Sequence, residues 1–121
     1  MDGERWPSDW IRAALPLVVL SVLHRGPAHG YVLLQSLRAL GLGSLRGSTL
    51  YPLLARQEEL GRVEHQWEPD SGGPPRKVFS ITETGRHDLA LLSRDWSELN
   101  QVVTTTVAAV AASDAKDIPG A

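Results

Sequence analysis

Three short helical segments, a pair of alternating strands and one long final helix predict a mainly α-helical protein carrying a two-stranded β-wing. The prediction rests on three observations. Apolar residues recur three and four apart up to Leu60, strict alternation flanks a Gly/Pro-rich turn between Val63 and Thr82, and helical spacing returns from Thr82 onwards. With 121 residues, 42% of them apolar, the chain suits a single compact core.

The first helix is predicted from Ser8, a residue type that caps helices, through Trp10, Leu15, Val18, Val19 and Val22 to Arg25, with Pro16 expected to kink or restart it. Gly26 and Pro27 end it. A second begins near His29 and places Tyr31, Leu34, Leu37 and Leu40 at helical spacing until Gly41 and Gly43 stop it. The third lies in RGSTLYPLLARQEELG, where Leu50, Leu53, Leu54 and Leu60 form the apolar stripe, Pro52 falls near the first turn and Gly61 terminates. Then VEHQWEP, Val63 to Pro69, alternates Val63, His65 and Trp67 against Glu64, Gln66 and Glu68, and RKVFSIT repeats the period with Phe79 and Ile81 towards a core. The six residues DSGGPP between them are turn formers, so the two strands make a hairpin with a long tip. The final helix is expected to run to about Ala112. The order α-α-α-β-β is that of a winged helix-turn-helix, whose third helix enters the major groove of duplex DNA while the hairpin touches the neighbouring backbone.

Charge supports that reading. The formal net charge is −2, yet Met1 to Gln57 holds six basic and three acidic residues, and Glu58 to Ala121 six basic and eleven acidic. Between Trp10 and Gln57 no acidic residue occurs, which leaves Arg12, Arg25, Arg38, Arg46 and Arg56 without local partners. Solvated surface arginines would give the same count; joined to a hairpin with Arg76 and Lys77 after GGPP, the pattern favours a polyanion footprint. With Leu50 at the centre of the buried face of the third helix, Ser48, Pro52, Ala55 and Glu59 point outwards and Thr49, Tyr51 and Arg56 flank them. Arg46, Ser48, Thr49, Tyr51, Arg56, Arg76 and Lys77 are therefore the candidate DNA-binding residues, Arg46 being the best placed to read a base, although a plain phosphate contact is the more favoured role for it.

In order and spacing, LSVLHRGPAHGYVLLQSL, GSTLYPLLARQEELG and GGPPRKVFSITETG resemble the PadR family of bacterial transcriptional regulators over about Leu20 to Gly85. The specific pieces are Gly-Pro-x-His-Gly-Tyr at Gly26 to Tyr31, Thr-Leu-Tyr-Pro-Leu-Leu at Thr49 to Leu54, and the Pro-Arg-Lys before the second strand. Gln57 and Glu58, where the family usually shows leucine and glutamate, and Pro16 depart from its pattern. The resemblance implies a homodimeric repressor on a pseudo-palindromic operator, with one C-terminal helix joining the protomers, as in the short branch of the family. In short members that bind planar aromatic molecules, often cationic, a tryptophan matching Trp96 stacks on the ligand; Leu92 and Leu99 would line such a site and Asp95 would attract a cation.

The seam of the last helix also stands on its own. Leu89, Leu92, Trp96, Leu99, Val103, Thr106 and Val110 alternate spacings of three and four, a heptad pattern that seeks a partner helix, the alternative being that it folds back on its own domain. The predicted organisation is a DNA-binding domain at 1–85, a dimerisation helix at 86–112 and a disordered tail at 113–121. No catalytic constellation, metal-ligand spacing or cofactor loop is present, so no enzyme is expected, and the absence of cysteine and of a bilayer-length apolar run suits an unprocessed cytoplasmic protein. The competing class is a winged-helix module whose third helix and wing serve a protein partner.

Overall fold

The computed structural model describes residues 5–70 and 72–117. Its elements are α1 (Ser8–His24), β1 (Ala28–His29), α2 (Gly30–Ala39), α3 (Gly47–Glu59), β2 (Val63–Asp70), β3 (Gly73–Ile81) and α4 (Glu83–Asp117). They divide into two units, Met1–Leu89 and Ala90–Ala121, a boundary four residues later than the one expected at residue 85. The shift has a cause within the first unit. Arg62 donates to Asp88 at 2.9 Å and Leu89 packs against the core, so the opening turns of α4 belong to the first unit.

Ser8 is the first helical residue rather than the cap; Pro7, at φ −52° and ψ 138°, precedes it with no side-chain cap. The helix then passes Pro16 without interruption. Proline removes one N–H from the ladder, but Leu15 on one side and Val19, Leu20 and Leu23 on the other are buried in the same core, which supports both halves. In α2 the buried residues are Leu33, Leu34 and Leu37, while Tyr31 and Leu40, expected on the stripe, are exposed. In α3, Leu50 and Leu54 are buried and Leu53 partly so; Leu60 is the exposed C-cap. Gly61, at φ +75°, then closes the helix with a Schellman turn: its N–H reaches Glu58 O at 2.9 Å and that of Arg62 reaches Gln57 O at 2.9 Å.

Gln57 and Glu58 owe their identity to this junction. Gln57 is buried, and its side-chain oxygen accepts from Arg62 Nη1 at 3.3 Å, so its polar end is satisfied inside the core. Glu58 meets His65 Nδ1 at 2.7 Å, tying α3 to β2.

The wing is larger than a two-stranded hairpin. β1 pairs antiparallel with β3 through Ala28↔Phe79 and His29↔Val78, giving a three-stranded sheet in the order β1-β3-β2. Gly73, Pro74 and Pro75, read from sequence as loop, form the start of β3, with Asp70 opposite Gly73 and a register irregularity between Glu68 and Asp70. Proline fits an extended strand that needs no donor at that position, and the irregularity falls beside Pro69. On the face carrying Val63, His65 and Trp67, burial decreases outwards, from the buried Val63–Ile81 pair through His65–Phe79 to the exposed Trp67 opposite Lys77.

Thr82 opens α4: its hydroxyl accepts from the Gly85 N–H at 2.9 Å and donates to Gly61 O at 2.6 Å. At the other end the helix continues to Asp117, through residues 113–117 where a disordered tail was expected; residues 118–121 lie outside the described residues. Five alanines between Ala108 and Ala115 favour the continuation. The β-branched run Thr104 to Thr106 lies within the helix, where Thr104 Oγ1 donates to Asn100 O at 2.9 Å and Gln101 Nε2 to Thr105 Oγ1 at 3.1 Å.

Candidate nucleic-acid interface

Arg46 enters α3 in extended conformation (φ −114°, ψ 156°), and its carbonyl accepts from the Thr49 and Leu50 amides at 3.0 and 3.1 Å. Its side chain has no hydrogen bond or ion pair among the described residues. Ser48, Thr49, Tyr51, Pro52, Ala55, Arg56 and Glu59 are exposed, as the helical projection from Leu50 requires. Arg56 approaches Glu59 at 3.7 Å, an exposed i,i+3 pair that competes weakly for its charge.

Tyr51 is held by two glycines. A Cβ on Gly30 would lie 2.6 Å from Tyr51 Cε1, and one on Gly47 would lie 2.9 Å from Cε2, so the ring occupies space that any other residue at either position would fill. The His-Gly-Tyr and Gly-Ser-Thr-Leu-Tyr stretches are thus two sides of one contact. The ring remains half exposed, and its hydroxyl has no partner among the described residues.

Between α3 and the hairpin lies a cleft of ≈ 310 Å³ that brings Tyr51 together with Arg76 and Lys77. Sequence reasoning missed three others on its walls: His29, Tyr31 and Glu58. Tyr31 and His29 sit inside the quoted Gly-Pro-x-His-Gly-Tyr motif, which was the available signal. Tyr31 is exposed, and its hydroxyl accepts from Gln35 at 2.6 Å. His29 Nε2 is 3.5 Å from Glu68, while its buried Nδ1 has no hydrogen-bond partner. Glu58 is engaged by His65, so the carboxylate in the cleft has a local partner. Lys77 Nζ sits 5.6 Å from the Trp67 ring centroid, a cation–π contact at an exposed site.

In the second unit, Trp96, Leu99, Val103 and Val110 are exposed and Leu92 is partly buried. Leu89, the first residue of the predicted seam, packs instead on the core of its own domain. Asp95, beside Trp96, is exposed. Val107, also exposed, was missed: at about 100° per residue it falls about 20° from Trp96, whereas Thr106 falls about 80° away. A strict heptad count drifts off the face of a straight helix, which explains the substitution.

The sequence model of the transcriptional regulator PadR-like family matches residues 19–91. A PadR family transcriptional regulator from Eggerthella lenta is 34% identical, with a TM-score of 0.76 and coverage of 82% of this chain and 86% of that one. A Streptococcus transcriptional regulator is 30% identical, with a TM-score of 0.71 over 80% of this chain and 95% of that one. An uncharacterized protein from Lysinibacillus sphaericus is 28% identical over 98 residues, 79% of this chain and 90% of that protein. Helix order, wing and matched span agree, and the chain belongs to the PadR-like family of transcriptional regulators.

Proposed function

We propose that the protein is a homodimeric, cytoplasmic repressor that binds a pseudo-palindromic operator in duplex DNA. The observation that carries this reading is the cleft between α3 and the wing. It places Tyr51 and Ala55 of α3 and the cations Arg76 and Lys77 around one concave surface. Arg46, Ser48 and Thr49 at the start of α3 contact base edges and phosphates in the major groove, Tyr51 and Arg56 meet the backbone, and the wing adds affinity independent of sequence. The seam at Leu92, Trp96, Leu99, Val103, Val107 and Val110 pairs with its copy and sets the spacing of the two recognition helices. Selection of bound fragments from a random duplex library tests the reading. An enriched inverted repeat is expected; a winged-helix module serving a protein partner would enrich none.

The same seam supports a ligand response. Two Trp96 indoles facing each other across the dimer axis would hold a planar aromatic molecule, with Asp95 drawing a cationic one. Titrating a planar cationic dye into the wild type and Trp96→Leu, with dimerisation checked in both, should show quenching only in the wild type. Equal affinity in the two proteins would return Trp96 to a packing role.

A further inference from the structure

A second cleft, ≈ 380 Å³ in volume, lies where the start of α1, the end of α2 and the start of α3 meet. Three arginines from three elements line it: Arg12, Arg38 and Arg46, together with the hydroxyl residues Ser8, Ser44 and Thr49. Among the described residues no carboxylate lines it. Each guanidinium is in a different state. Arg38 is anchored, its Nε donating to Leu45 O at 2.9 Å. Arg12 shares one nitrogen with Asp9 at 3.0 Å, but both side chains are largely exposed and the pair constrains it little. Arg46 has no partner among the described residues.

Three positive groups around one opening repel each other, and among the described residues only Asp9, outside the cleft wall, pairs with one of them. An anion with several oxygens fits best, because guanidinium forks bind two oxygens at once and hydroxyls donate to those that remain. Ile11, Leu42 and Leu45 complete the wall with apolar surface that strengthens the attraction by excluding water. We propose that this cleft is a seat for a phosphate group. Its source is either a backbone phosphate of the bound duplex, outside the segment read by α3, or a phosphate ester of a small molecule. The first source rests on the DNA-binding reading above, since Arg46 and Thr49 belong both to this cleft and to the outward end of α3.

The test uses the full chain with two substitutions, Arg12→Gln in the cleft and Arg25→Gln, an exposed arginine of the same acid-free stretch that does not line it. Pyrophosphate is titrated by calorimetry at constant ionic strength, and duplex affinity is measured against salt concentration. Arg12→Gln should weaken pyrophosphate about tenfold, the loss expected for a charged hydrogen bond, and Arg25→Gln should leave it unchanged. If the seat holds a DNA phosphate, the slope of log affinity against log salt also falls in Arg12→Gln alone, by about 0.9 for each phosphate no longer neutralised. Weakened pyrophosphate with an unchanged slope assigns the seat to a free phosphate ester. Equal pyrophosphate affinity in all three proteins, or equal losses in the two variants, overturns the proposal. Failure of the wild type to bind any duplex would sink the DNA-binding reading, and the pyrophosphate titration would still decide the cleft.

Discussion

Residues up to Leu89 and those after it solve the hydrophobic problem in opposite ways. In the first unit, leucines of three helices and Val63, Phe79 and Ile81 of the sheet are buried together. In the second, Trp96, Leu99, Val102, Val103, Val107 and Val110 are all exposed on a regular helix. A helix of 35 residues in which residues 93–115 are all exposed is poorly supported by propensity alone, because helical stability in proteins comes mostly from packing. The first unit therefore has a core of its own, whereas the second leaves an apolar face exposed, the face that the proposed dimer would cover.

Charging the exposed seam should have the largest effect. If the proposed dimer forms through this seam, Leu99→Glu with Val103→Glu should give a monomer in sedimentation velocity and reduce affinity for the proposed operator about 10²–10⁴-fold, through loss of linked half-site binding. A variant that remains dimeric would place the interface elsewhere, for instance on α1 with its exposed Trp10. Next in size, Leu54→Ala in the first unit should cost about 2–5 kcal/mol in denaturant unfolding. That loss should persist at every protein concentration, whereas the effect of Leu99→Ala should grow on dilution. A smaller loss, about 1–3 kcal/mol, is expected from Gly30→Ala, because the added methyl meets the Tyr51 ring. Tyr51→Ala in the same background should recover part of it, as a double-mutant cycle would measure. Smallest in energy, Arg76→Ala with Lys77→Ala should weaken all duplexes alike and lower the salt slope by about one to two units per wing. An unchanged slope would remove the wing from the interface.

The parts of the fold that were readable share a local cause. Gly41 and Gly61 stop helices through the turn that follows them, and Phe79 and Ile81 are assigned by period two, so short windows suffice. What escaped depends on residues far apart in the chain. The pairing of Ala28 with Phe79 makes β1 out of two residues that carry no strand pattern of their own. Pro16 reads as a kink or a restart until the core on both sides of it is known, and the polar Gln57 gains its partner only when Arg62 arrives to bond it. At the candidate site the cations were legible from charge and turn chemistry. Tyr31 and the grouping of Arg12 and Arg38 with Arg46 were not, because a cleft wall is assembled from several elements and no single spacing encodes it.

The Tyr51 ring wedged between Gly30 and Gly47 also bears on how the sequence can drift. Positions 30, 47 and 51 are coupled: a side chain at 30 or 47 meets the Tyr51 ring, so either the ring must shift or a smaller residue must stand at 51. Change there must pass through a destabilised intermediate or occur at two positions together. A library randomised at all three and sorted for folded protein should return mutual information among them far above that of neighbouring surface sites. Because the ring stands on the proposed DNA face, the recognition surface inherits that constraint from packing.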